Sequence, residues 1–518
     1  MQLTQALHKA VRECPNAIAT IDGARRRNYR QLVDRVARLA AALRSLGLAP
    51  GARVGMLALN SDRYVEYLYG SLWAGGAVNP VNIRWSVPEI AYSLDDCDTR
   101  VLLVDDAFVS LLGPLRELSR SLTTVIYVGE GPLPADCLGY ETLLAQVAPA
   151  ADAQRQGSEL AAVLYTGGTT GVPKGVMLSH DNLAINVLAT IAAAPRAAQV
   201  PALHAAPLFH VGGIAYVFQL TTRMACQVIM PGFDPGLALD LIERERIVES
   251  FMVPTMIRRL LEQPGFAQRN LASLRTLLYG AAPIDSTLLH KALDALPNVE
   301  FVQAYGQTEV SPMVAVLPAA YHTLEGAAAD KLGSAGLPVS TAELRIVDDG
   351  GVELAAGEVG EICVRGPTVM LGYWNKPEQT AAALRDGWLH SGDAGYLDAD
   401  GFLFLVDRIK DMIISGGENV YSCEVENALL RHREVATCAV IGIPHERWGE
   451  AVHAIVVRQP DAHVGEAELL AHCKELIAGY KCPRSIEFRS ELPLSAAGKL
   501  LKYVLREPFW KDRQRRIA

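Results

Sequence analysis

Leu32, Val36, Leu39, Leu43 and Leu46 recur at the three-to-four-residue spacing of one helix face, and Pro50-Gly51 then interrupts the run. Val54 to Leu59 follows as a short apolar stretch of the kind a buried strand shows. Val101 to Val104 and Val125 to Val128 repeat that signal, Leu237 to Arg246 reads as another helix, and Gly, Pro or Asp bounds each segment. This alternation predicts a layered α/β body. From about Gly333 the pattern shifts to short strands and tight turns (LRIVDDGG, GEVGEICVRG, DADGFLFLVDR), with hairpin signals at Asp349-Gly350 and Asp400-Gly401. A β-rich subdomain is expected there. Beyond Arg408 a helix near Cys423 to Arg431, strands near Ala436 to Ile441 and Ala451 to Val457, and a helix near Glu466 to Ile477 predict a small α+β domain. The expected division is 1–407 and 408–518, with the boundary between Val406 and Asp411. The second part is long enough to fold independently.

Length and composition narrow the class. At roughly 150 residues per domain, 518 residues exceed any single small module. Half the residues are apolar and a fifth charged, which suits packed cores rather than disorder. With 48 Lys plus Arg against 57 Asp plus Glu, the net charge of −9 argues against a nucleic-acid partner. Nine cysteines without a CxxC pair argue against structural zinc and fit a reducing cytoplasm. MQLTQALHKAVREC lacks an apolar leader core, and Ala184 to Pro195 is too short to span a bilayer, so no integral membrane segment is expected. The basic run Lys502, Arg506, Lys511, Arg513, Arg515 and Arg516 reads as a solvated terminal helix, with contact to an anionic ligand as the alternative.

The most informative segment is LYTGGTTGVPKG, Leu164 to Gly175, behind the strand-like Leu160 to Leu164. Its glycines let backbone N–H groups converge on a phosphate, its threonines add donors, and Lys174 adds charge. A Walker A loop would need GxxxxGK[ST]; here Val172 and Pro173 precede the lysine and Gly175 follows it. A Gly/Thr-rich surface hairpin would look similar in isolation.

Further motifs follow in order: GAAP at 280–283, YGQTE at 305–309, SGD at 391–393, DRIKD at 407–411, SGGEN at 415–419 and GK at 498–499. The set resembles the adenylate-forming superfamily of acyl-CoA synthetases, adenylation domains and luciferases. That resemblance implies ATP, Mg²⁺ and CoA as co-reactants and a small-molecule carboxylic acid as substrate. The acid first displaces pyrophosphate to form an acyl-adenylate, and a thiol then releases AMP. It assigns Thr166, Gly167, Gly168, Thr169, Thr170 and Lys174 to the phosphates and Glu309 to Mg²⁺. Gly280, Ala281, Ala282, Tyr305, Gly306 and Thr308 go to the adenosine side, Asp393 to the ribose hydroxyls, and Arg408 to ribose or phosphate. Lys499 is implied as the adenylation lysine and Lys410 as the hinge of a mobile C-terminal domain. Gly416 and Gly417 would form the wall along which pantetheine passes. Thr166, Glu309, Lys410 and Lys499 form the catalytic set. PLSAAGK departs from the commoner PRTxxGK pattern but keeps its lysine.

The acyl side is expected around His210, Gly213, Ala281, Ala304, Gly306 and Met313. Gly212, Gly213 and Ile214 would give a slot for an alkyl chain or aryl ring. No Arg or Lys stands among these positions to bind a second carboxylate, which implies a largely apolar monocarboxylic acid. Medium-chain fatty acids come first, with aryl acids close behind. A stand-alone adenylation enzyme serving a carrier protein is the alternative to a CoA ligase. A non-catalytic nucleotide scaffold fits less well, since Lys174, Glu309, Asp393, Arg408 and Lys499 occur together. Homodimerisation is the general expectation for a soluble enzyme.

Overall fold

Asn28 caps the helix Tyr29–Ser45 by accepting from the Gln31 amide, while the Gln31 side chain returns a bond to the Asn28 N–H. The predicted periodicity then does its work: Leu32, Val36, Leu39 and Leu43 are fully buried. The computed structural model describes residues 1–166, 173–409, 411–415, 418–495 and 500–511. Predicted strands appear as Arg53–Leu57, Val101–Val104 and Thr124–Tyr127, and the later helix as Pro235–Arg244.

Among the described residues the body contains an eight-stranded and a nine-stranded sheet with helices between them. In the first, Arg53–Leu57 lies between Ala77–Pro80 and Val101–Val104, all parallel, and Leu160–Thr166 runs parallel beside Ala77–Pro80. In the second, Pro201–His204 lies between Cys226–Ile229 and Glu249–Met252, followed outward by Thr276–Gly280 and Glu300–Gly306, again parallel. The chain leaves Pro201–His204 toward one side for its next strand and toward the other for the one after. Such a switch opens a crevice at the carboxyl ends of the strands, where ligands of open α/β sheets bind. Apolar side chains from both sheets and the intervening helices share one large core.

The β-rich subdomain is a five-stranded antiparallel sheet built on Gly360–Arg365, Trp388–Leu397 and Leu403–Arg408. The Asp400-Gly401 turn has Gly401 at φ +83°, whereas at Asp349-Gly350 the positive φ falls one residue later, on Gly351. There Asp348 accepts from the Gly350 and Val352 amides and so shifts the turn. After residue 411 the C-terminal domain forms its own sheet around the long pair Val435–His445 and Gly449–Arg458. The helices Ser422–Leu430 and Glu466–Leu476 enclose a separate apolar core with that sheet.

The basic terminal run corrects one expectation. Lys502 and Arg506 lie on the helix Lys502–Trp510 but are not solvated. The Lys502 ammonium is 2.8 Å from Glu426 and contacts Ser422 Oγ; Arg506 donates to Asp411 at 2.7 Å. Burial alone would weaken the Lys502 charge, yet Glu426 and Asp407 hold its pKa above the usual lysine value. Arg513, Arg515 and Arg516 lie outside the described residues.

Candidate active site

The carboxyl ends of the parallel strands gather most of the expected residues. Thr166 ends Leu160–Thr166, Gly280 ends Thr276–Gly280, and Tyr305 and Gly306 end Glu300–Gly306. Lys174 begins the returning strand Lys174–Ser179, directly opposite Thr166. Gly167, Gly168, Thr169 and Thr170, expected between them, lie outside the described residues.

Close backbone approach explains two glycines. A Cβ on Gly280 would lie 2.2 Å from the Ala304 carbonyl oxygen, and one on Gly306 would lie 1.8 Å from that of Pro312. Ala281 takes φ +66°, a left-handed conformation that costs a non-glycine residue strain and turns the GAAP segment away from its strand. Ala304 and Met313 are buried, the latter held where Asn186 donates to its carbonyl at 2.7 Å.

Tyr305, Asp393 and Arg408 form one cluster. The Tyr305 hydroxyl donates to Asp393 Oδ2 at 2.8 Å, and Arg408 Nε lies 3.2 Å from Asp393 Oδ1. Burial, with the adjacent carboxylate, pushes the Tyr305 phenol well above its ordinary pKa, so it remains a donor. Asp393 follows Gly392, at φ +71°, whose N–H donates 3.0 Å to Glu361 Oε1. Glu361 Oε2 is also 2.7 Å from His390 Nδ1. The spacing of Glu361, Cys363 and His390 could accommodate a metal ion, but burial pushes the Cys363 thiol up to about 11 and the carboxylate already orders the Gly392 turn. Gln307 donates to the Ser391 carbonyl at 3.2 Å, tying YGQTE to the same turn.

Thr308 and Glu309 form a single 3₁₀ turn, Thr308–Val310, rather than the start of an α-helix. Among the described residues, Tyr373 is the hydrogen-bond donor to the Glu309 carboxylate, at 2.9 Å. The Tyr373 ring centroid is 5.0 Å from Lys174 Nζ. Glu309 offers hard carboxylate oxygens beside the lysine expected at the phosphates, a donor set that fits Mg²⁺.

His210 immediately precedes the helix Val211–Thr222, in the segment that follows the strand Pro201–His204. Asn60, from the other sheet, positions the loop before it: its amide donates to Ala206 and Met230 carbonyls at 3.1 and 3.2 Å and its oxygen accepts from Leu208 at 2.8 Å. The anticipated glycine slot is altered. A Cβ on Gly213 would meet the Pro207 carbonyl oxygen at 2.2 Å, so this glycine allows helix-to-loop packing, and Ile214 is wholly buried in the core. Gly212 instead faces the Phe251 ring, 3.2 Å from a would-be Cβ. Lys410, Gly416, Gly417 and Lys499 lie outside the described residues.

Sequence reasoning missed Asn60, Glu361, Tyr373 and His390. Tyr373 stands in an aromatic stretch, GYW, about two hundred residues beyond Lys174 in the chain, and only the sheet brings its strand beside Lys174–Ser179.

The fold and this arrangement define a class: a two-part α/β protein in which the Thr166–Lys174 strand pair, the Glu309 turn and the Tyr305–Asp393–Arg408 cluster are supplied by three sheets of the body. A family model described as "AMP-binding enzyme" matches residues 7–374, and one described as "AMP-binding enzyme C-terminal domain" matches 424–499. The chain belongs to the AMP-binding enzyme family. It is 40% identical over 504 residues to a feruloyl-CoA synthase of Amycolatopsis sp, covering 97% of this chain and 98% of that one. It is 38% identical over 514 residues to the fatty acid–[acyl-carrier-protein] ligase ScoC of Streptomyces coeruleorubidus, covering 97% and 95%. Among solved structures, the anthranilate CoA ligase AuaEII in complex with anthranoyl-AMP superposes with a TM-score of 0.91 at 27% identity, covering 98% and 97%. Among the described residues no helix is long and apolar enough to cross a membrane.

Proposed function

We propose that the protein is an ATP-dependent carboxylic acid:CoA ligase that forms an acyl-adenylate and then an acyl-CoA thioester, acting on an apolar monocarboxylic acid. The carrying observation is a pair of contact chains, from Lys174 through Tyr373 to Glu309 and from Tyr305 through Asp393 to Arg408, built from strands of three different sheets. Carboxylate attack at the α-phosphate joins two anions, so the barrier is chiefly electrostatic. Lys174 and Arg408 supply fixed positive charge, Asp393 accepts from the ribose hydroxyls, and Glu309 would hold Mg²⁺, which supplies charge neutralisation on the phosphate oxygens when bound. Lys499 completes the cationic set by approaching the attacking carboxylate. A domain from residue 408 onward, turning about Lys410, would withdraw Lys499 after adenylation and admit the thiol past Gly416 and Gly417.

An aryl acid is the first substrate class we assign, ahead of a medium-chain fatty acid. The relative named for a feruloyl substrate and the aromatic partner of Gly212, Phe251, support it. Transfer to a carrier protein is the second reading, favoured by the relative named for that acceptor. The test is AMP release from ATP and Mg²⁺ across aryl and C6–C12 acids, with CoA or a phosphopantetheinylated carrier protein as acceptor. CoA-dependent release with an aryl acid supports the proposal. Release only with the carrier replaces it by the second reading, and no acid-dependent release refutes both.

A further inference from the structure

Lys174 and Glu309 carry opposite charges on the same side of the site, and each loses its use if it neutralises the other. A lysine in a carboxylate ion pair has fewer donors for phosphate, and a carboxylate so paired is a poorer ligand for a divalent cation. Tyr373 stands between them. Its hydroxyl donates to Glu309 Oε1 at 2.9 Å, while its ring presents a π face to the Lys174 ammonium at 5.0 Å. We propose, resting on the ligase reading above, that Tyr373 is a positioning residue that keeps Lys174 and Glu309 apart, leaving one free for the nucleotide phosphates and the other for the divalent cation.

The backbone around Tyr373 is built to fix that placement. Gly372–Tyr373 pairs antiparallel with Met177 and Val176 of the phosphate-loop strand. Leu371 and Trp374 donate to the Met177 and Gly175 carbonyls at 2.9 and 2.7 Å, and Met370 donates to the Glu309 carbonyl at 2.8 Å. Thr380 Oγ1 accepts from the Tyr373 N–H at 2.9 Å. One strap thus grips Glu309 and the residue next to Lys174 by main chain, and its Tyr373 side chain touches both charged groups.

The test uses the full-length protein and isothermal calorimetry of ATP binding with and without Mg²⁺, alongside acid-dependent pyrophosphate exchange. Tyr373→Phe keeps the ring and removes the donor. It should raise the Mg²⁺ concentration giving half-maximal exchange by about tenfold, the scale of one hydrogen bond to a charged group. Metal-free ATP affinity and kcat at saturating Mg²⁺ should change less than about twofold, a small fraction of that bond. Tyr373→Leu removes both contacts and should weaken metal-free ATP binding as well, because Glu309 then captures Lys174. Adding Glu309→Gln to Tyr373→Leu should restore metal-free ATP affinity. An unchanged Mg²⁺ requirement in Tyr373→Phe, or no recovery in the double variant, overturns the proposal while leaving the ligase reading intact. Failure of the unaltered protein to bind Mg²⁺ and ATP overturns both.

Discussion

Two clusters of charge, one before residue 410 and one after it, are used in opposite ways. In the body, Asp393, Tyr305 and Arg408 meet, with about half of the Arg408 side chain exposed. In the C-terminal domain, Lys502 is buried against Glu426 and Ser422, and Arg506 is paired with Asp411. Those ion pairs face inward and fasten the last helix to the segment at which the domain begins. Asp407 joins the two parts, accepting from both the N–H and the hydroxyl of Ser422 at 2.6 Å, at the start of the first helix of the second domain. The first cluster leaves part of its charge at the surface, and the second pairs its charges internally and ties the last helix to Asp411. Outside the connecting segment, Arg84 reaches across, donating to the Ser495 carbonyl at 3.1 Å.

The largest effect should come from breaking the inward use of charge. Lys502→Met leaves Glu426 buried without its ammonium and should destabilise the C-terminal domain by about 3–5 kcal/mol. Two-step thermal unfolding, with ATP still raising the melting temperature of the body, is the expected record. A single unshifted transition would show that the pair is not structural. Next, Asp393→Asn should raise the KM for ATP by about 10- to 100-fold, as hydrogen bonds to a charged acceptor are lost, without lowering the melting temperature of the C-terminal domain. An unchanged KM would remove Asp393 from the nucleotide site.

A smaller effect is read by pH. Burial lowers His180, His204 and His322, all in the body, from 6.5 to about 4. The folded body keeps them neutral while the unfolded chain takes up protons below 6.5, so their contribution is complete above that pH and is lost progressively toward 4. His204, which hydrogen-bonds Gln227 at 2.9 Å, should account for about 1 kcal/mol of the loss between pH 6.5 and 5.5. His204→Gln should flatten the melting-temperature profile by that amount; an identical profile would contradict the assignment.

Period and punctuation carried the fold a long way. Val101–Val104 appears at its predicted limits, and the helices and strands of the C-terminal domain fall within a few residues of expectation, because each buries a continuous or regularly spaced apolar set. Turn placement was less legible at Gly351, where the Asp348 side chain decides which residue takes positive φ. Motif residues such as Asp393 and Tyr305 could be named in advance, since their chemistry is local to short segments. Their supports could not. Glu361, Asn60 and Tyr373 act across gaps of 31, 148 and 64 residues, and a carboxylate or phenol at such a distance has no periodic signature. Lys502 was misread for the related reason that a basic helix looks solvated until its buried partner, 76 residues earlier, is known.

The direct measurement is a pair of half-reactions on Lys499→Ala: acid-dependent pyrophosphate exchange, and thioester formation from CoA and preformed acyl-adenylate. A body that orients the nucleotide and a separate domain that delivers one cation predict a loss of about 10²- to 10³-fold in exchange, the scale for one electrostatic stabiliser, with thioester formation nearly unchanged. Equal loss in both, or no loss in exchange, would contradict that division of labour.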